Sequence, residues 1–308
     1  MAISAKEAAK RPELLAPGHR ACAGCTAPAV LRMALKVAGP ETVVGFATGC
    51  MEVVTTIFPY TSWRVPYIHN AFENAAATVS GVETAYRALK KKGKVTKDIR
   101  FIAFGGDGGT YDIGFQSLSG AMERGHRMLY ICYDNEAYMN TGIQRSSSTP
   151  RGADTNTSQA GKVKQGKGEY KKDLTAVMVA HNIPFVAQAV ANDPRDFMGK
   201  VEAALAADGP SFINVLSPCN RGWRIPIEKS MEICDLAVDT CMWPVFEVVN
   251  GQWKISRKPK AKKPVTDYLF IQGRFAHLKK EENKGLVAEI QADVDRRWNE
   301  LLKKCGEA

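Results

Sequence analysis

The 308-residue chain contains no uninterrupted apolar run close to the ~20 residues that a membrane-spanning helix needs. Its first residues, Met-Ala-Ile-Ser-Ala-Lys-Glu, include no apolar signal core. No zinc finger, recognition helix or basic region with interleaved aromatics accompanies its basic segments. The sequence therefore predicts a cytoplasmic protein with no membrane anchor and no dedicated nucleic-acid-binding motif.

The formal net charge of +10 still raises the question of an acidic partner. Much of the basic excess lies in two segments, residues 90–97 and 254–263. We expect both to be solvated surface or a docking surface for an acidic protein. Binding of nucleic acid through residues 254–263 is the remote alternative.

Strand and helix patterns alternate along most of the chain. Predicted strands cover residues 42–47, 102–104, 128–133, 184–190 and 211–215, and predicted helices cover 29–37, 72–91, 111–123, 174–181, 194–207 and 281–304. Segments 58–70 and 149–172 are predicted loops, and residues 246–255 form a predicted hairpin that turns at Asn250-Gly251. Such alternation predicts an α/β fold with a mainly parallel, doubly wound sheet and a C-terminal hairpin and helix extension.

We expect this fold to occupy three parts of the chain. Residues 1–18 form a polar N-terminal arm that frays or wraps across a neighbour. Residues 19–243 form the α/β domain, and residues 244–308 form a C-terminal extension. No internal repeat is visible.

A glycine-acid loop follows the strand at 102–104. Residues 105–109 read Gly-Gly-Asp-Gly-Gly and precede a predicted helix, so the backbone and the start of that helix can approach phosphate oxygens. Asp107 offers an anionic oxygen, and Asn135, at the end of the next strand, offers a neutral one; phosphate-bound Mg²⁺ takes this combination. The stretch predicts a cradle for a magnesium-bound diphosphate, with an ordinary tight turn as the alternative.

Four of the eight cysteines lie in loops at predicted strand or helix ends. Cys22 and Cys25 form Cys-x-x-Cys before a helix, whereas Cys50 and Cys219 each follow a strand. Strand ends of a parallel sheet gather ligands at one edge, so three loops can present four thiolates there. Four thiolates suit a structural zinc ion or a 4Fe-4S cluster, and one close pair with two single cysteines favours the cluster.

The other four cysteines suggest no metal site. We expect Cys132, Cys234 and Cys241 to be buried small residues, the last two on one helix, and we assign no role to Cys305. The run Cys-x2-Cys-x2-Cys-x3-Cys-Pro that marks relay clusters is absent. The chain would thus hold one cluster at most.

Four segments together carry a family resemblance. They are residues 21–25 (ACAGC), 47–52 (ATGCME), 105–114 (GGDGGTYDIG) and 133–142 (YDNEAYMNTG). The last two contain the thiamine diphosphate signature, Gly-Asp-Gly followed after a strand by Asn. From about His19 to Lys279 the chain resembles the beta subunit of multisubunit pyruvate:ferredoxin oxidoreductases, which implies a sheet of the thiamine diphosphate-binding type.

The resemblance also implies roles for individual residues. The cluster nearest thiamine diphosphate would be held by Cys22, Cys25, Cys50 and Cys219. Magnesium would be held by Asp107, Asn135 and the carbonyl of Ala137, and Asn140 would face the substrate as the catalytic residue. The cofactor-binding set implied is Thr48, Gly49, Gly106, Asp107, Gly108, Gly109, Asn135, Asn140 and Thr141.

The same resemblance implies partners. The family places the glutamate that activates the cofactor on another subunit, so we expect neither Glu52 nor Glu73 to take that role. The chain would work with alpha-, gamma- and delta-type subunits, which its C-terminal extension would dock, and would deliver electrons to ferredoxin. We therefore expect the chain to be inactive alone.

The resemblance is compatible with more than one substrate. Pyruvate with coenzyme A is the main expectation, and oxalate or a branched-chain 2-oxoacid is an alternative. Thr26 stands where pyruvate-type subunits commonly have Gly, beside the second cysteine. A non-redox thiamine enzyme with a structural zinc is the rival from another class.

Overall fold

The computed structural model describes residues 3–307. Its strands are β1 (Thr42–Ala47), β2 (Tyr67–Asn70), β3 (Arg100–Gly106), β4 (Leu129–Asp134), β5 (Phe185–Val190), β6 (Ser211–Leu216), β7 (Val245–Val249) and β8 (Gln252–Arg257). Its α-helices are α1 (Ala5–Lys10), α2 (Ala27–Ala38), α3 (Cys50–Thr55), α4 (Ala75–Lys91), α5 (Phe115–Glu123), α6 (Leu174–Val179), α7 (Pro194–Ala206), α8 (Asn220–Trp223), α9 (Glu232–Asp239), α10 (Val265–Leu269) and α11 (Lys284–Lys304).

All eight strands form one sheet in the order β2-β1-β3-β4-β6-β5-β7-β8. The first six are parallel to one another, and β7 and β8 are added antiparallel. The central strands β4 and β6 are buried along their whole length, because helices cover both faces of a parallel sheet. The predicted mainly parallel, doubly wound α/β fold is confirmed.

Two apolar clusters lie on opposite faces of the sheet. One contains side chains of α2 and α7, and the other contains those of α4, α5, α9 and α11. Side chains of β4 alternate between them: Ile131 and Tyr133 join the first cluster, whereas Tyr130 and Cys132 join the second. Alternate side chains of β4 therefore point to opposite faces of the sheet.

The predicted loop at 58–70 is partly wrong. Its last four residues form β2, which pairs in parallel with β1 through Val44 and Tyr67. A four-residue edge strand that is only partly buried carries too little period-2 pattern to stand out beside the prolines and aromatics before it. The predicted loop at 149–172 is confirmed, with no helix or strand assigned between Thr149 and Lys172.

Two helix predictions need correction. The helix predicted at 111–123 starts earlier: a π-helical turn, Gly108–Ile113, follows Asp107 directly and α5 comes after it. Short π-helical turns occur frequently at functional sites. Cys234 lies on α9, but that helix ends at Asp239, and Cys241 follows with a φ of 57°; both thiols are buried as predicted.

The N-terminal arm packs on its own chain, so the expectation that it frays is wrong for the described residues 3–18. Leu14 and Leu15 are buried, and Arg11 donates to the last carbonyls of α2 over 2.9 and 3.0 Å. Glu13 pairs with Arg32 at 2.6 Å and with Lys36 at 2.7 Å, and these hydrogen bonds lower the pKa of Glu13 to about 2.

The predicted C-terminal hairpin is confirmed as β7 and β8. Asn250 and Gly251 turn it with φ values of 47° and 79°, the left-handed conformations that a two-residue hairpin turn requires. Because β7 pairs with β5, the hairpin continues the central sheet.

The basic run at 254–263 is largely neutralised within the chain. Ion pairs join Lys254 to Glu247, Arg257 to Asp235, Lys258 to Glu307, Lys262 to Asp295 and Lys263 to Asp239. Paired cations offer less to an external polyanion than free ones, which weakens the nucleic-acid alternative.

None of the helices in residues 3–307 is both long and apolar enough to cross a membrane.

Candidate functional site

The ends of β3 and β4 bring Asp107 and Asn135 together. These strands are neighbours in parallel register, with Gly106 opposite Tyr133, so the residues that follow each strand leave the sheet at the same edge. The backbone N–H of Asn135 donates to Asp107 Oδ1 over 3.3 Å. The convergence expected from the spacing of the two motifs is therefore present.

Three oxygens meet at this point. The side-chain amide of Asn135 presents its oxygen 2.9 Å from the Ala137 carbonyl oxygen and 3.0 Å from Asp107 Oδ1. Two arrangements would satisfy these atoms. The Asn135 amide can rotate so that its NH₂ group donates to the other two oxygens, or a cation can bind between the three oxygens. Adjacent ligands of an octahedral Mg²⁺ with metal–oxygen distances near 2.1 Å lie about 3 Å apart. The donor set and its spacing thus fit magnesium.

Three consecutive serines complete the site, and sequence reasoning missed them. Ser146 Oγ donates to Asp107 Oδ2 over 2.5 Å, and Ser148 Oγ donates to the carboxylate of Asp134 over 2.6 Å. Ser147 bonds to Asp112. The only signal in the sequence was the serine run itself, placed between the Asn-Thr-Gly motif and the polar segment.

A buried lysine fixes the backbone of this serine segment. The Nζ of Lys167 donates to the carbonyls of Ser146 and Ser147 over 3.2 Å and to that of Thr149 over 2.6 Å. Burial lowers the pKa of Lys167 to about 8. The long polar segment is therefore tied to the site by its own side chain.

Buried charges surround the three oxygens. Burial, and then the charge of Asp134, raise the pKa of Asp107 well above its ordinary value. Burial alone would also raise the pKa of Glu136, but the charges of Lys171 and Arg274 outweigh it and hold that pKa low. A cation bound at the three oxygens would favour the ionised form of Asp107, which burial and Asp134 disfavour.

One cleft collects the cofactor-binding residues implied by the resemblance. It is lined by Thr48, Gly49, Gly106, Asp107, Gly108, Gly109, Asn135, Ala137, Asn140 and Thr141, together with Cys50, Phe72, Tyr133, Tyr138 and Met139. A Cβ at Gly108 would lie 2.4 Å from the ring of Tyr138, so only glycine allows this wall to close. The structure brings these residues together, and their individual roles stay predictions.

The four loop cysteines are also neighbours. Burial, then the charges of Cys219 and Cys22, raise the pKa of Cys25 to about 11. Burial, followed by the charges of Cys219, Cys25 and Cys22, raises the pKa of Cys50 to about 12. Mutual coupling of this kind puts the thiols of the three loops in the same region, although within residues 3–307 no three of them surround the position of a single ion. Coordination to a metal deprotonates such thiols, so the donor set suits a thiolate-bound centre.

Thr26 joins two of these loops. Its side chain is fully buried, and Oγ1 lies 2.8 Å from Ser217 Oγ and donates to the Pro218 carbonyl over 3.2 Å. It therefore links the residue after Cys25 to the residues before Cys219. In addition, the N–H of Gly222 donates to Cys219 Sγ over 3.3 Å.

Within residues 3–307, no three side chains of His, Cys, Asp or Glu form a compact group around the position of one ion. The magnesium donors above include only one such side chain, because an amide and a backbone carbonyl complete the set. All eight thiols are free of disulfides.

Comparison with known proteins agrees with the sheet and the cleft. A family model described as thiamine pyrophosphate enzyme, C-terminal TPP binding domain, matches residues 44–215. The fold is also similar to that of a 2-oxoglutarate:ferredoxin oxidoreductase from Magnetococcus marinus, with a TM-score of 0.54 and 21% identity over 69% of this chain and 75% of that one. Fold and site together define a thiamine diphosphate-binding α/β protein.

Curated relatives narrow this class. The chain is 54% identical to pyruvate synthase subunit PorB of Thermotoga maritima, over 97% of this chain and 94% of that protein. It is 57% identical to the subunit of the same name from Methanocaldococcus jannaschii, over 93% and 96%. Ketoisovalerate oxidoreductase subunit VorB of Pyrococcus abyssi is 44% identical, over 94% and 92%. The chain belongs to the beta subunits of the 2-oxoacid:ferredoxin oxidoreductase family, thiamine diphosphate-dependent oxidoreductases that work with partner subunits.

Proposed function

We propose that this chain binds the diphosphate of Mg²⁺-thiamine diphosphate and holds a 4Fe-4S cluster in a complex that oxidises pyruvate. The observation that carries the magnesium part is the position of the Asn135 side-chain amide, 2.9 Å from the Ala137 carbonyl oxygen and 3.0 Å from Asp107 Oδ1, which matches octahedral spacing. Serine and lysine contacts hold that arrangement without taking up the oxygens that face the ion.

The residues of the chain position and shield the cofactor. When bound, thiamine diphosphate supplies a carbanion that attacks the 2-oxo carbon and accepts the electron pair released with carbon dioxide. Asp107, Asn135 and the Ala137 carbonyl would hold the magnesium, and Asn140, exposed at the rim of the cleft, would face the substrate. Phe72 and Tyr138 close the cleft with an edge-to-face contact of 6.0 Å between ring centroids.

The cluster would be held by Cys22, Cys25, Cys50 and Cys219, and when bound it accepts electrons one at a time. The mutual coupling of their charges and the amide contact to Cys219 support this assignment. Cys50 lines the cofactor cleft, so one of the four thiols lies within both sites.

Partner subunits would complete the reaction. Of the two candidate glutamates, Glu52 accepts a hydrogen bond from Thr56 over 2.7 Å and lies 3.4 Å from His69. The family resemblance gives the activating role to neither Glu52 nor Glu73. We therefore assign the activating carboxylate to an alpha-type subunit. Gamma- and delta-type subunits would carry electrons to ferredoxin, and the extension of residues 244–308 would dock them.

Turnover by the intact complex tests the substrate. We expect pyruvate with coenzyme A to give the highest kcat/KM, because the relatives named pyruvate synthase are 54% and 57% identical and the ketoisovalerate relative is 44%. Preference for 2-oxoisovalerate, or oxidation of oxalate without coenzyme A, would overturn the pyruvate assignment. Iron and zinc analysis of the anaerobically purified complex, compared with its Cys219→Ser variant, separates the cluster from a structural zinc: the variant should lose iron and not zinc.

A further inference from the structure

Tyr133 carries a hydroxyl that is buried without a partner. Its side chain is 1% exposed, and the hydroxyl has no hydrogen-bond partner among residues 3–307. Buried phenols normally find one, as Tyr130 does with Thr110 at 3.1 Å and Tyr111 does with Asp134 at 2.9 Å. The hydroxyl of Tyr67 is also unpaired, but Tyr67 does not line the cofactor cleft. At the cleft, an unpaired hydroxyl points to an acceptor that arrives with a bound group.

The hydroxyl lies between the cysteine corner and the diphosphate loop. A Cβ added to Gly49 would lie 2.8 Å from it, and a Cβ added to Gly106 would lie 3.3 Å away. Gly49 immediately precedes Cys50, and Gly106 immediately precedes Asp107. Because neither glycine has a side chain, the Tyr133 hydroxyl fits between the two loops.

Cys50 offers a candidate acceptor, because it directly follows Gly49 and lines the same cleft as Tyr133. The free thiol of Cys50 is not hydrogen-bonded to the hydroxyl, so the contact would form only with the metal-bound sulfur. The N–H of Met51 also lies close, but it is a donor and leaves the phenolic proton unassigned. A thiolate is a good acceptor for that proton once a metal has deprotonated the sulfur.

We propose that the Tyr133 hydroxyl donates a hydrogen bond to the metal-bound sulfur of Cys50 and raises the reduction potential of the cluster. The inference rests on the proposed function, because it needs the cluster. A hydrogen bond to a ligand sulfur stabilises the more negative, reduced state, so it favours acceptance of an electron. Tyr133 is thus a positioning and tuning residue beside the cofactor, and it transfers no proton.

The test compares Tyr133→Phe with Tyr130→Phe in the intact complex. Tyr130 is a matched control because it lies on the same strand, is equally buried and directs its hydroxyl to Thr110 on the opposite face. Potentials are measured by redox titration followed by electron paramagnetic resonance, with iron content recorded for each protein. Electron-nuclear double resonance detects exchangeable protons coupled to the reduced centre.

We expect Tyr133→Phe to keep its iron, to titrate at a more negative potential and to lose one exchangeable proton coupling, while Tyr130→Phe matches the wild type. A wild-type potential in Tyr133→Phe, or an equal shift in both variants, overturns the role of Tyr133. If Cys219→Ser removes no 4Fe-4S signal from the complex, the cluster is not held by this chain, which overturns the proposed function itself and this inference with it.

Discussion

Ser146 Oγ donates to Asp107 Oδ2 over 2.5 Å, and this contact leaves Oδ1 to face Asn135 and Ala137. One oxygen of the carboxylate, Oδ2, thus accepts a structural hydrogen bond, and the other, Oδ1, lies at the candidate magnesium position. Partners behind a metal ligand fix its orientation and commonly matter almost as much as the ligand itself. The serine run is consequently part of the site.

Replacing Ser146 by Ala should weaken Mg²⁺-dependent binding of thiamine diphosphate by about 10- to 100-fold, the usual effect of losing a partner behind a metal ligand. Quenching of tryptophan fluorescence during a magnesium titration of the intact complex measures it. Ser147→Ala is the matched control, because the neighbouring serine bonds to Asp112 and not to a candidate ligand. Equal losses in the two variants would show that the segment acts only through folding.

Asp107→Ala should abolish diphosphate binding and spare the iron. The aspartate is the only carboxylate among the three candidate magnesium donors, so its removal leaves two neutral oxygens. Cofactor content after gel filtration and the visible spectrum of the anaerobic complex report the two sites separately. Asp112→Ala should retain the cofactor. If Asp107→Ala lost as much iron as Cys219→Ser, the two sites would not be separable.

Cys219→Ser should lower the iron content of the complex, whereas Cys305→Ser should not. Cys219 couples to the other loop cysteines and accepts a hydrogen bond from Gly222, but Cys305 lies at the end of α11. Iron per complex is measured after anaerobic purification. Full iron occupancy in Cys219→Ser would remove this residue from the ligand set.

Thr26→Val should make the cysteine corner less stable. The substitution preserves the shape of the side chain but leaves the Ser217 hydroxyl and the Pro218 carbonyl without their partner. Each unsatisfied buried polar group lowers the free energy of unfolding by about 1–3 kcal/mol. Iron release to a chelator should therefore be faster than in the wild type. Thr26→Ser keeps the hydroxyl and should restore most of the wild-type rate. If release is unchanged in Thr26→Val, the link between the two loops has no role in retaining metal.

Prediction from sequence succeeded where the signal was local. Buried runs identified five of the six parallel strands within about two residues at most ends, and the Gly-Asp-Gly and Asn-Glu motifs located the cleft. It missed β2, whose four residues carry almost no period, and the π-helical turn after Asp107, which no simple apolar period describes.

The contacts that could not be predicted join residues far apart in the chain. Thr26 was visible as a departure from the family pattern, but its partner Ser217 lies 191 positions away. Tyr133 looked like an ordinary aromatic residue of a buried strand, and only its position between Gly49 and Gly106 distinguishes it. No local pattern contains such information.

By itself the sequence determined the fold class, the glycine-acid loop of residues 105–109 and the four cysteines that follow strands or precede a helix, because periodicity and motif spacing are properties of neighbouring residues. Only the tertiary structure decided that three serines hold three aspartates, that most cations of the basic run are paired, and that the Tyr133 hydroxyl at the cleft has no partner within residues 3–307. These relationships depend on the order and register of the parallel strands, which bring the ends of distant segments to one edge.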